Sequence, residues 1–149
     1  MTTDDVLALN TCWSLLRSVQ LGRVAMVRGD VVELLPVNFV VDHGTVVFRT
    51  AAGSVLSHTV SVERVAFEAD GHDSDSGQVW SVVVKGAAEA IGNADLLDTT
   101  GLALTPWAAG PKHEFIRIVP SEITGRRFIP VESSTWHTPL DQVRPVAFD

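Results

Sequence analysis

Apolar and polar positions alternate with a period of two along most of this chain, and that pattern predicts a sheet. Residues 31–41 (VVELLPVNFVV) give the longest clear run. Val31, Glu33, Leu35, Val37, Phe39 and Val41 fall on one face, and Val32, Leu34, Pro36, Asn38 and Val40 on the other. Apolar residues on both faces predict a wall that is covered on both sides. Pro36 withholds a ladder donor and marks an edge, a bulge or a bend. Asn38 is a polar group within an apolar run and needs a partner, either backbone or the polar edge of a ligand. Residues 23–28, 45–50, 62–69, 79–91, 114–119 and 123–129 read as further strands, the last two separated by Pro120-Ser121. Arg28-Gly29-Asp30 and Asp42-His43-Gly44 read as hairpin turns. Arg28-Gly29-Asp30 also matches an integrin-binding tripeptide, but its place between two strands makes it a turn.

The period changes in few places. Leu9, Cys12, Trp13, Leu16 and Val19 form one stripe at helical spacing. They predict a helix over 10–20, capped by Asn10 or Thr11 and followed by Gly22. Ala51-Ala52-Gly53 reads as a turn into a short helix over 55–60, with Ser54 at its N-cap. A further short helix is expected over 93–100. Residues 1–9 read as a flexible N-terminus, 101–112 as irregular, and 130–149 as a Pro-rich tail that wraps the surface or a partner chain. No internal repeat is visible. The expectation is a single domain over 1–149, mostly β with short helices, closed as a small barrel.

Composition narrows the chemistry. The single cysteine, Cys12, excludes an internal disulfide and a zinc-finger type of site. No basic residue surrounds it to activate the thiol, so it reads as a docking residue of the first helix. A net charge of −7 argues against a protein built to grip nucleic acid. No apolar run reaches the roughly 18 residues of a membrane helix. The opening MTTDDVLALN is acidic where a signal peptide is basic, so a cytoplasmic location is expected. The five histidines are scattered, and neither a nucleophile elbow nor a phosphate-binding P-loop occurs. The acidic stretch 70–77 (DGHDSDSG) lacks the ligand order of a calcium loop and reads as a solvated hairpin loop. If the chain is an enzyme, a bound cofactor carries its chemistry.

One cluster suggests a ligand. Arg49, Thr50, Gly53 and Ser54 bring a guanidinium fork, two hydroxyls and a glycine turn into one short stretch. Those groups suit the oxygens of a phosphate, and backbone N–H groups at the start of the following helix would point the same way.

The segments LGRVA at 21–25, PVNFVVDHGTVVFRTAAGSVL at 36–56, VAFEAD at 65–70, WSVVVKG at 80–86, PWAAG at 106–110 and IVPSEITGRR at 118–127 resemble, in that order and spacing, the pyridoxamine 5′-phosphate oxidase-like family of FMN-binding split barrels. The resemblance implies a six-stranded split β-barrel that forms a homodimer, with flavin mononucleotide (FMN) at the dimer interface. By position, Arg49, Thr50 and Ser54 would hold the phosphate, with Ala51 and Val55 in the same turn. Pro36, Val37, Asn38 and Phe39 would line the isoalloxazine, and Trp80, Lys85 and Trp107 are further candidates for the pocket. The small residues 86–88 would suit a close interface.

Two departures from the family pattern bear on function. Val55 stands where many relatives carry lysine, and losing one charge-assisted phosphate contact costs roughly 1.5–3 kcal/mol. His58, one turn on, is a partial substitute. The C-terminal segment also lacks the Arg- and His-rich region expected of enzymes that oxidise the vitamin. The function implied is therefore an FMN-dependent oxidoreductase acting on a small molecule other than the vitamin. The alternatives are a deazaflavin-dependent reductase, drawing on Arg23, Arg28, Arg126 and Arg127, and a non-enzymatic flavin-binding dimeric module.

Overall fold

The computed structural model describes residues 5–91 and 113–130. The expected helix over 93–100, the irregular segment with Trp107 and the tail beyond Pro130 lie outside the described residues. Six long strands form the wall: β2 (Leu21–Arg28), β3 (Val31–Asp42), β4 (Thr45–Ala51), β5 (Val65–His72), β6 (Val79–Ala90) and β7 (His113–Phe128). They pair antiparallel in the ring order β7-β4-β3-β2-β5-β6, and β6 returns to β7 to close it. A two-residue strand, β1 (Asp5–Val6), sits in the segment expected to be loose and pairs with Arg126 and Arg127 of β7.

The turn chemistry follows from the sequence. His43 and Gly44 both take positive φ, 48° and 70°, as a two-residue hairpin loop of the primed type requires. Gly29 does the same at the first hairpin, with φ 66°.

β3 changes partner along its length. Val31 to Asn38 pair with β2, and Phe39 to Asp42 pair with β4. Pro36 lies in the half with one described neighbour, where a residue without an N–H is tolerated. The inner face is continuous across the ring. Val24, Phe67 and Val84 stand in one row, and Phe39, Phe48 and Ile116 in another. Phe39 meets Phe67 edge to face at 4.7 Å between centroids. Each fully buried side chain of this size contributes about 1.5–3 kcal/mol.

Three expectations need correcting. The first helix, α1, spans Leu9–Arg17, begins after Ala8 and has no side-chain cap. Cys12 and Leu16 are buried, whereas Leu9 remains 59% exposed. Gly22 does not close this helix. It lies in β2 against Phe67, where a side chain would collide with the ring. The segment 113–128 is one strand, which Pro120 and Ser121 do not break. The pairing passes from Lys85↔Glu122 to Gly86↔Pro120, so Ser121 is an extra residue in a β-bulge. Its hydroxyl donates to the Lys85 carbonyl at 3.1 Å. The bulge accommodates the proline, and Gly86 lets the Val119 carbonyl approach where a Cβ would sit. At Gly86, therefore, β6 admits a backbone of the same chain. Finally, β5 starts at Val65 and runs to His72, three residues later at each end than its sequence pattern suggests.

α1 closes one side of the barrel against β7. Gly125 makes this possible, because a Cβ there would lie 2.5 Å from Cys12 Sγ. Burial pushes the Cys12 thiol up from its ordinary pKa, which agrees with a docking role. No helix among the described residues is long and apolar enough to cross a membrane.

Candidate functional site

The strand β4 delivers the candidate anion-binding residues. Val46, Phe48 and Thr50 are buried as one alternating set, and Arg49 faces the other way. Gly53 takes φ 77° in the turn that follows. The expected short helix is a 3-10 helix, Val55–Ser61, with Ser54 at its N-cap position. Ser54 does not cap it with its side chain. The Ser54 hydroxyl lies 2.7 Å from Thr50 Oγ1, and either oxygen can donate. Thr50 and Ser54 are therefore brought together as predicted, but they bond to each other.

Arg49 stands opposite Phe115 in the β4–β7 ladder, with its guanidinium carbon 5.7 Å from the ring centroid. At that distance the cation interacts favourably with the ring face. Its Nε is buried and has no hydrogen-bond partner. A buried donor without an acceptor is costly, and an anion supplied from outside the chain would satisfy it. The Arg49 fork fits a phosphate on that ground; Thr50 faces the core from the same strand, and its hydroxyl pairs with that of Ser54 in the turn beyond.

The same face carries a second arginine that the strand pattern did not single out. Arg117 of β7 stands opposite Val47, and its Nη2 donates to Asp42 Oδ2 at 2.9 Å. Asp42 is 8% exposed, and its other oxygen lies 2.7 Å from His43 Nδ1. The Arg117 Nε is also buried without a partner. Asp42 and Arg117 are separated by 75 positions, so only the strand order joins them. A clue lay in each strand's alternation, which puts a charge where an apolar residue would continue the run.

The segment expected to line a flat ring sits at the point where β3 changes partner. Val37 and Phe39 are buried in the core, Pro36 is exposed, and Asn38 is half-buried and engaged. Trp80 is buried over Gly71, where a Cβ would lie 2.5 Å from the indole Nε1. Lys85 is exposed on β6 in register with Ala66. Val55 is half-buried and packs against the core, and Ala51 is exposed at the end of β4. Of the basic residues invoked for a longer acidic coenzyme, Arg23 pairs with Glu68 and Asp70, and Arg28 pairs with Glu33 at 3.8 Å.

Comparison with known proteins identifies relatives of the same fold. The family model described as pyridoxamine 5′-phosphate oxidase matches residues 9–127. A Corynebacterium glutamicum protein, crystallised as a candidate pyridoxamine 5′-phosphate oxidase, is 38% identical, with a TM-score of 0.74 over 87% of this chain and 96% of its own. The FAD binding protein from Mycobacterium smegmatis is 40% identical, with a TM-score of 0.71 over 83% of this chain and 97% of its own. An uncharacterized Mycobacterium tuberculosis protein is 44% identical over 85 residues, which is 56% of this chain and 76% of that protein.

Proposed function

Because the chain belongs to the pyridoxamine 5′-phosphate oxidase family, a flavin-binding split-barrel family, we propose that it is a flavin-dependent oxidoreductase of a small organic substrate, working as a cytoplasmic homodimer. The flavin ring, when bound, passes a hydride or electrons between a nicotinamide donor and an organic acceptor. The chain's own part is to hold and orient. Arg49 anchors the phosphate, Thr50 and Ser54 offer hydroxyls, and Pro36 to Phe39 border the ring. The leading cofactor is FMN. Its ring, ribityl chain and phosphate recur within FAD, which the 40% identical mycobacterial protein is described as binding.

The observation that carries the reading is the buried Nε of Arg49, a donor left without an acceptor on the strand that leads into the Gly53 turn. The exposed outer face of the β2–β3 hairpin supports the dimer. Val27, Val32 and Leu34 there are 59%, 71% and 65% exposed, and a sheet face of this character suits a second copy of the chain.

The test is an absorbance and fluorescence titration with FMN, FAD and a deazaflavin coenzyme, repeated on Arg49→Ala. The expected result is saturable flavin binding that the variant weakens about ten- to a hundredfold, the loss of one charge-assisted contact. Binding that ignores Arg49 overturns the phosphate assignment. No flavin binding at high micromolar ligand overturns the flavin reading, and binding of the deazaflavin alone selects that alternative.

A further inference from the structure

Two arginines share the outer face of β4 and β7. Arg49 stands opposite Phe115, and Arg117 stands opposite Val47. Val47 and Arg49 are two positions apart on one strand, as are Phe115 and Arg117 on the other, so all four side chains lie on one face. The arginines occupy the diagonal of this block, a spacing of roughly 7–8 Å that long side chains can bridge. Each has a buried Nε without a hydrogen-bond partner. Two such donors on adjacent strands are costly unless acceptors come from outside the chain.

The two guanidinium groups are drawn toward opposite ends of the block. Arg49 lies over Phe115, in its own row. Arg117 donates through Nη2 to Asp42 Oδ2 at 2.9 Å. Asp42 stands one row beyond Val47, opposite Thr45, on the side away from Arg49. The pair therefore serves two neighbouring places rather than one. An anion at Arg49 leaves the Arg117 Nε still in need of an acceptor.

Asp42 fixes Arg117 without exhausting it, because a guanidinium has five N–H donors and the carboxylate takes Nη2. It also offsets one of the two positive charges. Glu89, exposed on β6, stands opposite Arg117, whose ion pair among the described residues is with Asp42. With two carboxylates beside two arginines, this face does not collect anions by net charge. It selects them by where its donors stand.

We propose that Arg117, positioned by Asp42, holds a second phosphate beside the one at Arg49, so that the chain takes the dinucleotide flavin, FAD, in preference to FMN. The proposal rests on the flavin reading above and refines its choice of cofactor. FMN presents one phosphate and leaves the second arginine unserved. FAD carries two phosphates joined through one oxygen, and each can accept a charge-assisted hydrogen bond from its own arginine.

The experiment is a fluorescence titration of the full chain with FMN and with FAD, and a calorimetric titration with inorganic pyrophosphate and with inorganic phosphate, each repeated on Arg117→Gln. The wild type is expected to bind FAD more tightly than FMN, and pyrophosphate more tightly than phosphate. Arg117→Gln is expected to weaken FAD and pyrophosphate about ten- to a hundredfold, the loss of one charge-assisted contact, and FMN and phosphate less than about twofold. Equal weakening of FAD and FMN, or weakening of neither, overturns the second phosphate site. So does a wild type that binds FMN as tightly as FAD. If no flavin binds but pyrophosphate binds through Arg117, the two-phosphate site stands and the flavin reading falls; if neither binds, both fall. Should Arg117→Gln fail to fold, Asp42→Asn combined with it removes the stranded carboxylate, and the same comparisons on that variant decide the matter.

Discussion

Asp42 is a nearly buried carboxylate held between an arginine of β7 and the histidine of its own turn. It is 8% exposed, bonded to Arg117 at 2.9 Å and adjacent to His43. Removing the carboxylate strands Arg117, whose side chain is 21% exposed. Asp42→Ala is expected to destabilise the fold by about 3 kcal/mol, the lower end for a broken buried pair because Arg117 keeps some access to water. Chemical denaturation of both proteins checks this, and a change below about 0.5 kcal/mol would show that the pair is worth no more than an exposed one. Glu68 makes a pH prediction at the same scale. Its folded-state pKa, about 7, lies above its ordinary 4.5. Folded protein therefore binds the proton more tightly, and the contribution is full below pH 4.5 and lost as pH rises through 7. The thermal midpoint should fall across that window, and Glu68→Gln should flatten this part of the profile. Asp73 works in the opposite sense. Its carboxylate accepts from the Asp75 and Ser76 N–H groups, which lowers its pKa and favours the fold on the alkaline side.

At the scale of elements, the bulge in the β6–β7 ladder explains how a proline lies inside the longest strand. Two glycines test how closely the elements approach. At Gly86 a new Cβ meets the Val119 carbonyl, which belongs to a paired backbone and cannot turn away. At Gly71 it meets the Trp80 indole, a side chain with some freedom to shift. Gly71→Ala is expected to cost about 1–3 kcal/mol, and Gly86→Ala more. Denaturation midpoints that reversed this order would mean that β7 yields more readily than the buried tryptophan. The same reasoning accounts for what the alternation could not convey. A period of two marks 79–90 and 113–128 as strand-like, but an extra residue is recognised only against the partner strand. Pro120 therefore reads as a break until β6 is in place.

For the whole molecule, the ring closes because β7 is long enough to pair with both β4 and β6. Closure buries the inner rows around Val24, Phe39, Phe48, Phe67 and Val84 but leaves the outer face of the β2–β3 hairpin apolar and open. Sedimentation equilibrium tests the role of that face. Val32→Glu combined with Leu34→Glu is expected to convert the proposed dimer to a folded monomer, since two charges cannot be buried there without partners. A dimer that persists would place the subunit contact on another face.

The sequence by itself determined the type of most elements, the hairpin turn at Asp42-His43-Gly44 and which residues of a strand share a face, because these depend on spacing within one segment. It also brought Thr50 and Ser54 within one turn of each other, since four positions separate them. Only the tertiary structure decided which strands are neighbours. That order placed Arg49 over Phe115, joined Asp42 to Arg117, and set Arg23 between Glu68 and Asp70. The physical reason is that alternation records which way a side chain points relative to its own strand. The identity of the group it meets depends on the ring order and register of strands distant in the chain.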